Sequence, residues 1–188
     1  MLTRLVAPAI VVTTADAKAN LRVTFTRDDA LIADCVAAAT AYLDGPTGIL
    51  GGKCIADQTW RYTTADFADP LRIPLKPASA VSSVKYLDTS GVEQTFSSAS
   101  YYLFSDDIGP YVRLIPNAVW PDTSARDDAV RIEFVAGYGS TIPPAIRAAI
   151  LKLTALLYDS GDAEVDPAKF PAGFSYRDLV SPISRQFF

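Results

Sequence analysis

The groups best equipped for chemistry are three adjacent acid pairs, a glycine-rich run ending in lysine, and two cysteines. The 188 residues contain no histidine, which removes Ser-His-Asp and Cys-His nucleophile systems. The pairs Asp28-Asp29, Asp106-Asp107 and Asp127-Asp128 have the composition of a carboxylate dyad of the kind that shares acid and base work in glycoside hydrolysis. Adjacent residues on a strand point to opposite faces, and adjacent acids in loops are usually solvated. The pairs therefore read as surface groups, and the chain as a non-enzyme with no catalytic residue assigned.

Gly48-Ile49-Leu50-Gly51-Gly52-Lys53 is rich in glycine and ends in lysine, but Cys54 stands where a phosphate loop needs a hydroxyl. The run also precedes an expected strand and not a helix, which a phosphate loop requires. Gly137-Tyr138-Gly139 is too short for a dinucleotide fingerprint and reads as a turn from sheet to helix. Cys35 falls on the apolar side of an expected helix and Cys54 just before the first strand of the middle region; both read as free thiols. Two cysteines without histidine cannot furnish the usual four-ligand zinc site. No cofactor and no metal are expected.

The aromatic residues Trp60, Tyr62, Tyr86, Tyr101, Tyr102, Phe104, Tyr111, Trp120 and Phe134 could form a sugar-binding or base-stacking platform. At period two they read first as core and cross-strand pairs. Few Lys or Arg interleave with them in sequence, which argues against nucleic-acid stacking.

These groups must be carried by an ordinary globular chain. Hydrophobic residues make up 49% and charged residues 20%, and a chain of this length buries roughly 70% of its unfolded surface without help from metal or disulfide. Seventeen basic against 21 acidic residues give a net charge of −4, a poor balance for coating DNA. A weakly acidic wall would instead suit a passage through which DNA slides without sticking. The N-terminal apolar stretch is too short for a signal peptide, and no run reaches the ~18 apolar residues of a membrane span. Synthesis as a soluble cytoplasmic protein is the expectation, with no membrane partner.

Residues 5–12 look extended. Thr13-Thr14-Ala15-Asp16 carries a helix-start signal, and Thr26-Arg27-Asp28-Asp29 repeats it ahead of a helix over about 28–44. Leu31, Ile32, Cys35, Val36, Ala39, Tyr42 and Leu43 recur at helical spacing along this helix, and Ala37, Ala38 and Ala41 leave room for a close neighbour. Gly45-Pro46 stops it. From 54 to 136 the period becomes two. About seven short strands are expected, at 58–63, 71–73, 81–87, 92–96, 101–104, 111–115 and 130–135, with a hairpin turn at Asp88-Thr89-Ser90-Gly91. Ile142-Pro143-Pro144 opens a last helix, with Ile146, Ala149, Ile150, Leu153, Leu156 and Leu157 on its apolar face.

Residues 161–188 show no strong period, yet contain Phe170, Phe174, Tyr176, Leu179, Phe187 and Phe188. A solvated tail rarely carries so many large apolar groups. It must pack on its own domain or order against a partner, and these six residues are the candidate docking set.

The order of segments resembles the head–tail connector, or adaptor, family of long-tailed phages and gene-transfer particles. The matching pieces are Leu5-Val6-Ala7-Pro8, 17–23, Asp28-Asp29-Ala30-Leu31-Ile32, 39–43, Thr47-Gly48, Gln58-Thr59-Trp60, 81–88, the run from Val130 through Gly139, and Ile142-Pro143-Pro144-Ala145-Ile146 with the Leu-rich helix, covering roughly residues 2–160. The resemblance implies an α+β fold: a small helical core, an antiparallel β-rich insertion between the second and last long helices, and an extended C-terminal tail. The corresponding divisions are 1–53 and 137–160 for the core, 54–136 for the insertion, and 161–188 for the tail as a portal-docking arm. It further implies a structural ring of about twelve copies in a virion or phage-like particle, between the portal protein and a tail-side connector or stopper protein. DNA would pass through the lumen without specific binding. The alternative is a non-catalytic protein- or carbohydrate-binding module.

Overall fold

The computed structural model describes residues 1–160 and 176–184. The elements run β1 (Leu2–Val6), α1 (Thr14–Leu21), α2 (Asp29–Leu43), β2 (Gln58–Thr64), β3 (Leu71–Arg72), β4 (Ala78–Leu87), β5 (Glu93–Phe96), β6 (Tyr101–Ser105), β7 (Pro110–Leu114), β8 (Val130–Ala136), α3 (Pro144–Ser160) and α4 (Tyr176–Ser184). This is an α+β fold in two compact units, one of strands and one of helices. Residues 1–9 cluster with the strands at 56–139, because β1 pairs antiparallel with β2.

In the helical unit, α1 begins where the sequence signals it. The Thr13 hydroxyl accepts from the Asp16 amide at 3.1 Å, and the Asp16 carboxylate accepts from the Thr13 amide at 3.1 Å, so both orphan donors are satisfied. The matching signal before α2 is not used in the same way. Its N-cap is Asp28, whose side chain makes no cap bond; it accepts from the Tyr158 hydroxyl at 2.6 Å and from Arg27 at 3.1 Å. A tertiary donor on α3 has taken the carboxylate from the local amide.

α2 buries Ile32, Cys35, Val36, Ala39 and Leu43, a narrow arc facing α3 with its buried Ile146, Ala149, Ile150 and Leu153. Leu31 and Tyr42, expected on the same stripe, are exposed, since each lies about 100° off that arc. After α2 the glycine-rich run folds back on the helix end. The Gly45 amide donates to Lys53 O at 2.8 Å and Asp44 accepts from the Ile55 amide at 2.7 Å. A Cβ on Gly48 would lie 2.3 Å from Leu43 O, so close approach to the helix, and not phosphate, accounts for this glycine. Residues 176–184, read in sequence as part of an aperiodic tail, form α4; Pro182 within it obscures the helical period.

The β unit contains a five-stranded sheet in the order β1-β2-β8-β4-β5 and a three-stranded sheet in the order β3-β7-β6, with every described pairing antiparallel. Central β8 alternates strictly: Val130, Ile132, Phe134 and Ala136 are buried, and Arg131, Glu133 and Val135 are half-exposed. Around this inner face lie buried Trp60, Val84, Leu71, Ile73, Leu75, Tyr101 and Val112. The β4–β5 turn falls on Asp88–Gly91 as expected. The Asp88 carboxylate accepts from the amides of Ser90 and Val92 and from the Gln94 side chain, all within 2.9–3.0 Å.

β8 ends at Gly137, whose φ is +152° and whose amide donates to Pro77 O at 2.9 Å. A Cβ there would meet Ala56 C, Ala56 O and Asp57 Cα, each at 2.5 Å. Nothing but backbone is available to move. Gly137→Ala is therefore expected to cost about 2–4 kcal/mol, read as a lowered urea midpoint with unchanged slope; an unchanged midpoint would show that the strand end yields.

Candidate assembly surfaces

Four of the six acids in the three pairs have bonded partners among the described residues. Asp28 is bound to Tyr158 and Arg27, Asp29 to Lys18, Asp106 to Arg72, and Asp128 to Arg126 and Arg131. Hydrogen bonds hold the carboxyl of each of Asp28, Asp106 and Asp128 below its ordinary range, from Tyr158, Arg72 and Arg126 respectively. A general acid needs the opposite shift. Among the described residues no group of three or more Cys, Asp or Glu could hold a metal, and no helix is long and apolar enough to cross a membrane. Cys35 and Cys54 are both buried and form no disulfide, and burial, with Asp34 nearby, raises the Cys35 thiol. Lys53, the end of the glycine run, donates to the carbonyl of Ile183 on α4, and burial lowers its ammonium.

The aromatic residues divide into two groups. One is a packed cluster whose members, apart from buried Tyr101, are half-exposed. Phe67 stacks on Trp120 at 4.4 Å and 6°, Trp120 meets Phe96 at 4.9 Å, and Phe96 meets Tyr101 at 6.2 Å. This cluster joins β5 to β6. Phe67 and Phe96 were not among the aromatics singled out from sequence, because Phe67 lies in a loop and only the fold brings it to the strands.

The other group lies outside. On β6 and β7 the register pairs Tyr102 with Arg113 and Phe104 with Tyr111, and on β3 it pairs Arg72 with Tyr111. Tyr102 is 60% exposed, Phe104 45% and Ile108, in the connecting turn, 70%. Tyr102 and Phe104 meet edge to face at 6.1 Å, Phe104 and Tyr111 stack at 5.7 Å, and the Arg72 guanidinium sits 4.7 Å over Tyr111. Arginines thus do interleave with these aromatics, in space if not in sequence. Tyr, Phe and Arg held on a rigid sheet are the composition of a protein-docking surface. The 71° angle between Tyr102 and Phe104 means that no single plane spans both rings.

Arg72 is fixed by a two-pronged bond to Asp106, 2.7 Å for each oxygen. The Ile108 and Gly109 amides also donate to Asp106 at 3.0 and 3.1 Å, so one carboxylate organises the β6–β7 turn.

The helical unit offers a second exposed face. On α2, Leu31, Ala33, Ala37, Ala38, Ala41 and Tyr42 all face outward. Of the candidate docking set, Tyr176 begins α4 and Leu179 is half-buried on it. Its neighbour Val180 is 2% exposed within the helical unit, where α4 packs on α3. Phe170, Phe174, Phe187 and Phe188 lie outside the described residues.

Arg72 above all, and then the two turn amides, hold the Asp106 carboxyl at about 2 against 3.8 ordinarily. A lowered carboxyl contributes stability that is complete above the unfolded value and is lost as pH falls through the folded one. Stability should therefore fall between about pH 4 and pH 2, and Asp106→Asn should flatten that slope while weakening the fold at neutral pH. Urea midpoints across this range test it; identical slopes would remove Asp106 as a contributor.

The chain matches no protein-family model and no curated protein. Its fold does match solved structures. A chain in the neck of an empty gene transfer agent (GTA) particle, computed with C6 symmetry, superposes with a TM-score of 0.76 at 22% identity, covering 97% of this chain and 94% of that one. A chain in the neck of the native GTA particle, computed with C12 symmetry, gives 0.75 at 20% identity over the same shares. A chain in the virion of the native particle gives 0.73 at 21%. Both the strand and the helix units thus follow a fold present in the neck of a gene transfer agent.

Proposed function

We propose that this chain is a structural head–tail connector. It forms a ring between the portal and the tail-side proteins of a phage or phage-like particle and lines the DNA passage. The observation that carries this reading is the fold likeness to particle-neck chains over 97% of the length. The surfaces agree with it. Several carboxylates, among them Asp28, Asp88, Asp106 and Asp128, serve ion pairs and turns, whereas Tyr102 and Phe104 of the three-stranded sheet and Leu31 of α2 are exposed. A ring needs two different surfaces that meet head to tail, and the chain supplies more than one. A weakly acidic chain, net −4, suits a wall that DNA passes without lasting contact.

On this reading Phe170, Phe174, Tyr176, Leu179, Phe187 and Phe188 dock the portal. Exposed Tyr102 and Phe104 favour a second reading, a non-catalytic protein- or carbohydrate-binding module outside any particle.

Co-expression with the portal protein of the same particle, followed by native mass measurement and negative-stain microscopy, separates the two. The expected result is a portal ring carrying a second stacked ring, whose mass gives the copy number. Phe187→Ala with Phe188→Ala should abolish stacking and leave the circular dichroism spectrum unchanged. Free portal beside folded monomer, also in the presence of DNA-filled heads, together with a positive glycan screen, would favour the binding module.

A further inference from the structure

The β unit ends in four strand edges, and two of them are blunted. β3 is two residues long, and β5 carries Glu93, bound to Lys85 and Arg131. The other two edges are not protected in this way. β6 reads Tyr101-Tyr102-Leu103-Phe104-Ser105, with no charge and no proline, and β1 has five residues with one charge, Arg4. An apolar, uncharged edge strand is a template for pairing with another chain.

The hydrogen-bond parity identifies the free groups. In an antiparallel ladder, bonded pairs alternate with non-bonded pairs. Bonds from the Asp106 amide to Gly109 O and from the Ile115 amide to Ser100 O bracket the β6–β7 ladder. Tyr102 and Phe104 therefore bond to β7, and the N–H and C=O groups of Tyr101, Leu103 and Ser105 face the open side. On β1, Met1 and Thr63 exchange bonds at 2.6 and 2.8 Å. Thr3 accordingly bonds to β2, and the groups of Leu2 and Arg4 face outward.

We propose that β6 of one copy pairs antiparallel with β1 of the next, Leu103 opposite Arg4, joining the three-stranded sheet of one copy to the five-stranded sheet of its neighbour. This rests on the ring reading above. Pairing β6 with β6 would close at two copies and consume the edge, and pairing β1 with β1 would do the same to β1. A β6–β1 contact leaves each copy one open edge of each kind, so it propagates until a ring closes. β1 offers the groups of Leu2 and Arg4, which in this register meet those of Ser105 and Leu103; the bulge between Arg4 and Val6 ends the match. The exposed Tyr102 and Phe104 would flank the new seam and give it side-chain specificity, as in strand addition generally.

The test uses the full chain assembled with its portal. Leu103→Pro removes one outward N–H without touching the β7 ladder, and Arg4→Pro does the same on β1; each should lose rings and leave a folded monomer. Should either variant fail to fold, cysteine pairing decides. In the proposed register Phe104 and Thr3 form a non-bonded pair, with Cα atoms about 4.5 Å apart, within disulfide range. Oxidising a mixture of Phe104→Cys and Thr3→Cys chains should give the mixed dimer, and the double variant a ladder of multimers. Homodimers of Phe104→Cys alone would overturn the proposal in favour of symmetric pairing. Rings that persist in both proline variants, without cross-links, would overturn the seam and leave the ring reading standing. Absence of rings from the unaltered chain with portal would overturn both.

Discussion

The strand β8 is the constraint on which the β unit depends. It is hydrogen-bonded on both sides, to β2 and β4, so none of its backbone groups is left for water. Its even-numbered side chains are buried in the core and its odd-numbered ones form an outer row, in which Glu133 binds Arg61 at 2.6 Å and Arg131 reaches both Glu93 and Asp128 at 2.9 Å. A slip of one residue would turn Phe134 outward and bury Glu133. The alternation thus sets the register of three strands at once, and Gly137 closes the strand where only a residue without Cβ fits.

Charge in this protein is largely used for construction. Asp88 builds one hairpin turn and Asp106 another, Asp16 caps α1 and pairs with Arg147 at 2.8 Å, and Asp28 ties α2 to α3. Such exposed pairs contribute little stability individually. Their value is geometric: they fix turns and helix ends so that the sheet faces are rigid. Among the described residues the large apolar groups left exposed include Tyr102, Phe104 and Ile108 and, on the outer side of α2, Leu31, and β1 and β6 are edge strands.

Strand and helix positions were largely legible because period is local. The alternation over 58–63 and 130–135, the start signal at Thr13, the turn at Asp88–Gly91 and the stop at Gly45-Pro46 each depend on neighbours within a few residues. Where a distant partner intervened, local reading failed. The Asp28 cap was lost to Tyr158, 130 positions away in sequence. Leu31 and Tyr42 were read as core because apolar spacing does not reveal how wide an arc a partner helix will cover. α4 was hidden by Pro182 and by its short length.

By itself, then, the sequence determined the class of the protein: α+β, free of histidine, with a helical part and a β-rich middle. These follow from composition and from periodicities of two and 3.6 residues, which the backbone reads locally. Only the tertiary structure decided which surface is left over. Arg72 and Arg113 join the aromatics of β6 through cross-strand register, Phe67 and Phe96 meet Trp120 in a half-buried cluster, and β1 crosses from the helical end of the sequence to the sheet. Register and edge exposure arise from pairings between residues tens of positions apart, and a hydrogen bond to a distant strand leaves no local mark in either partner's sequence.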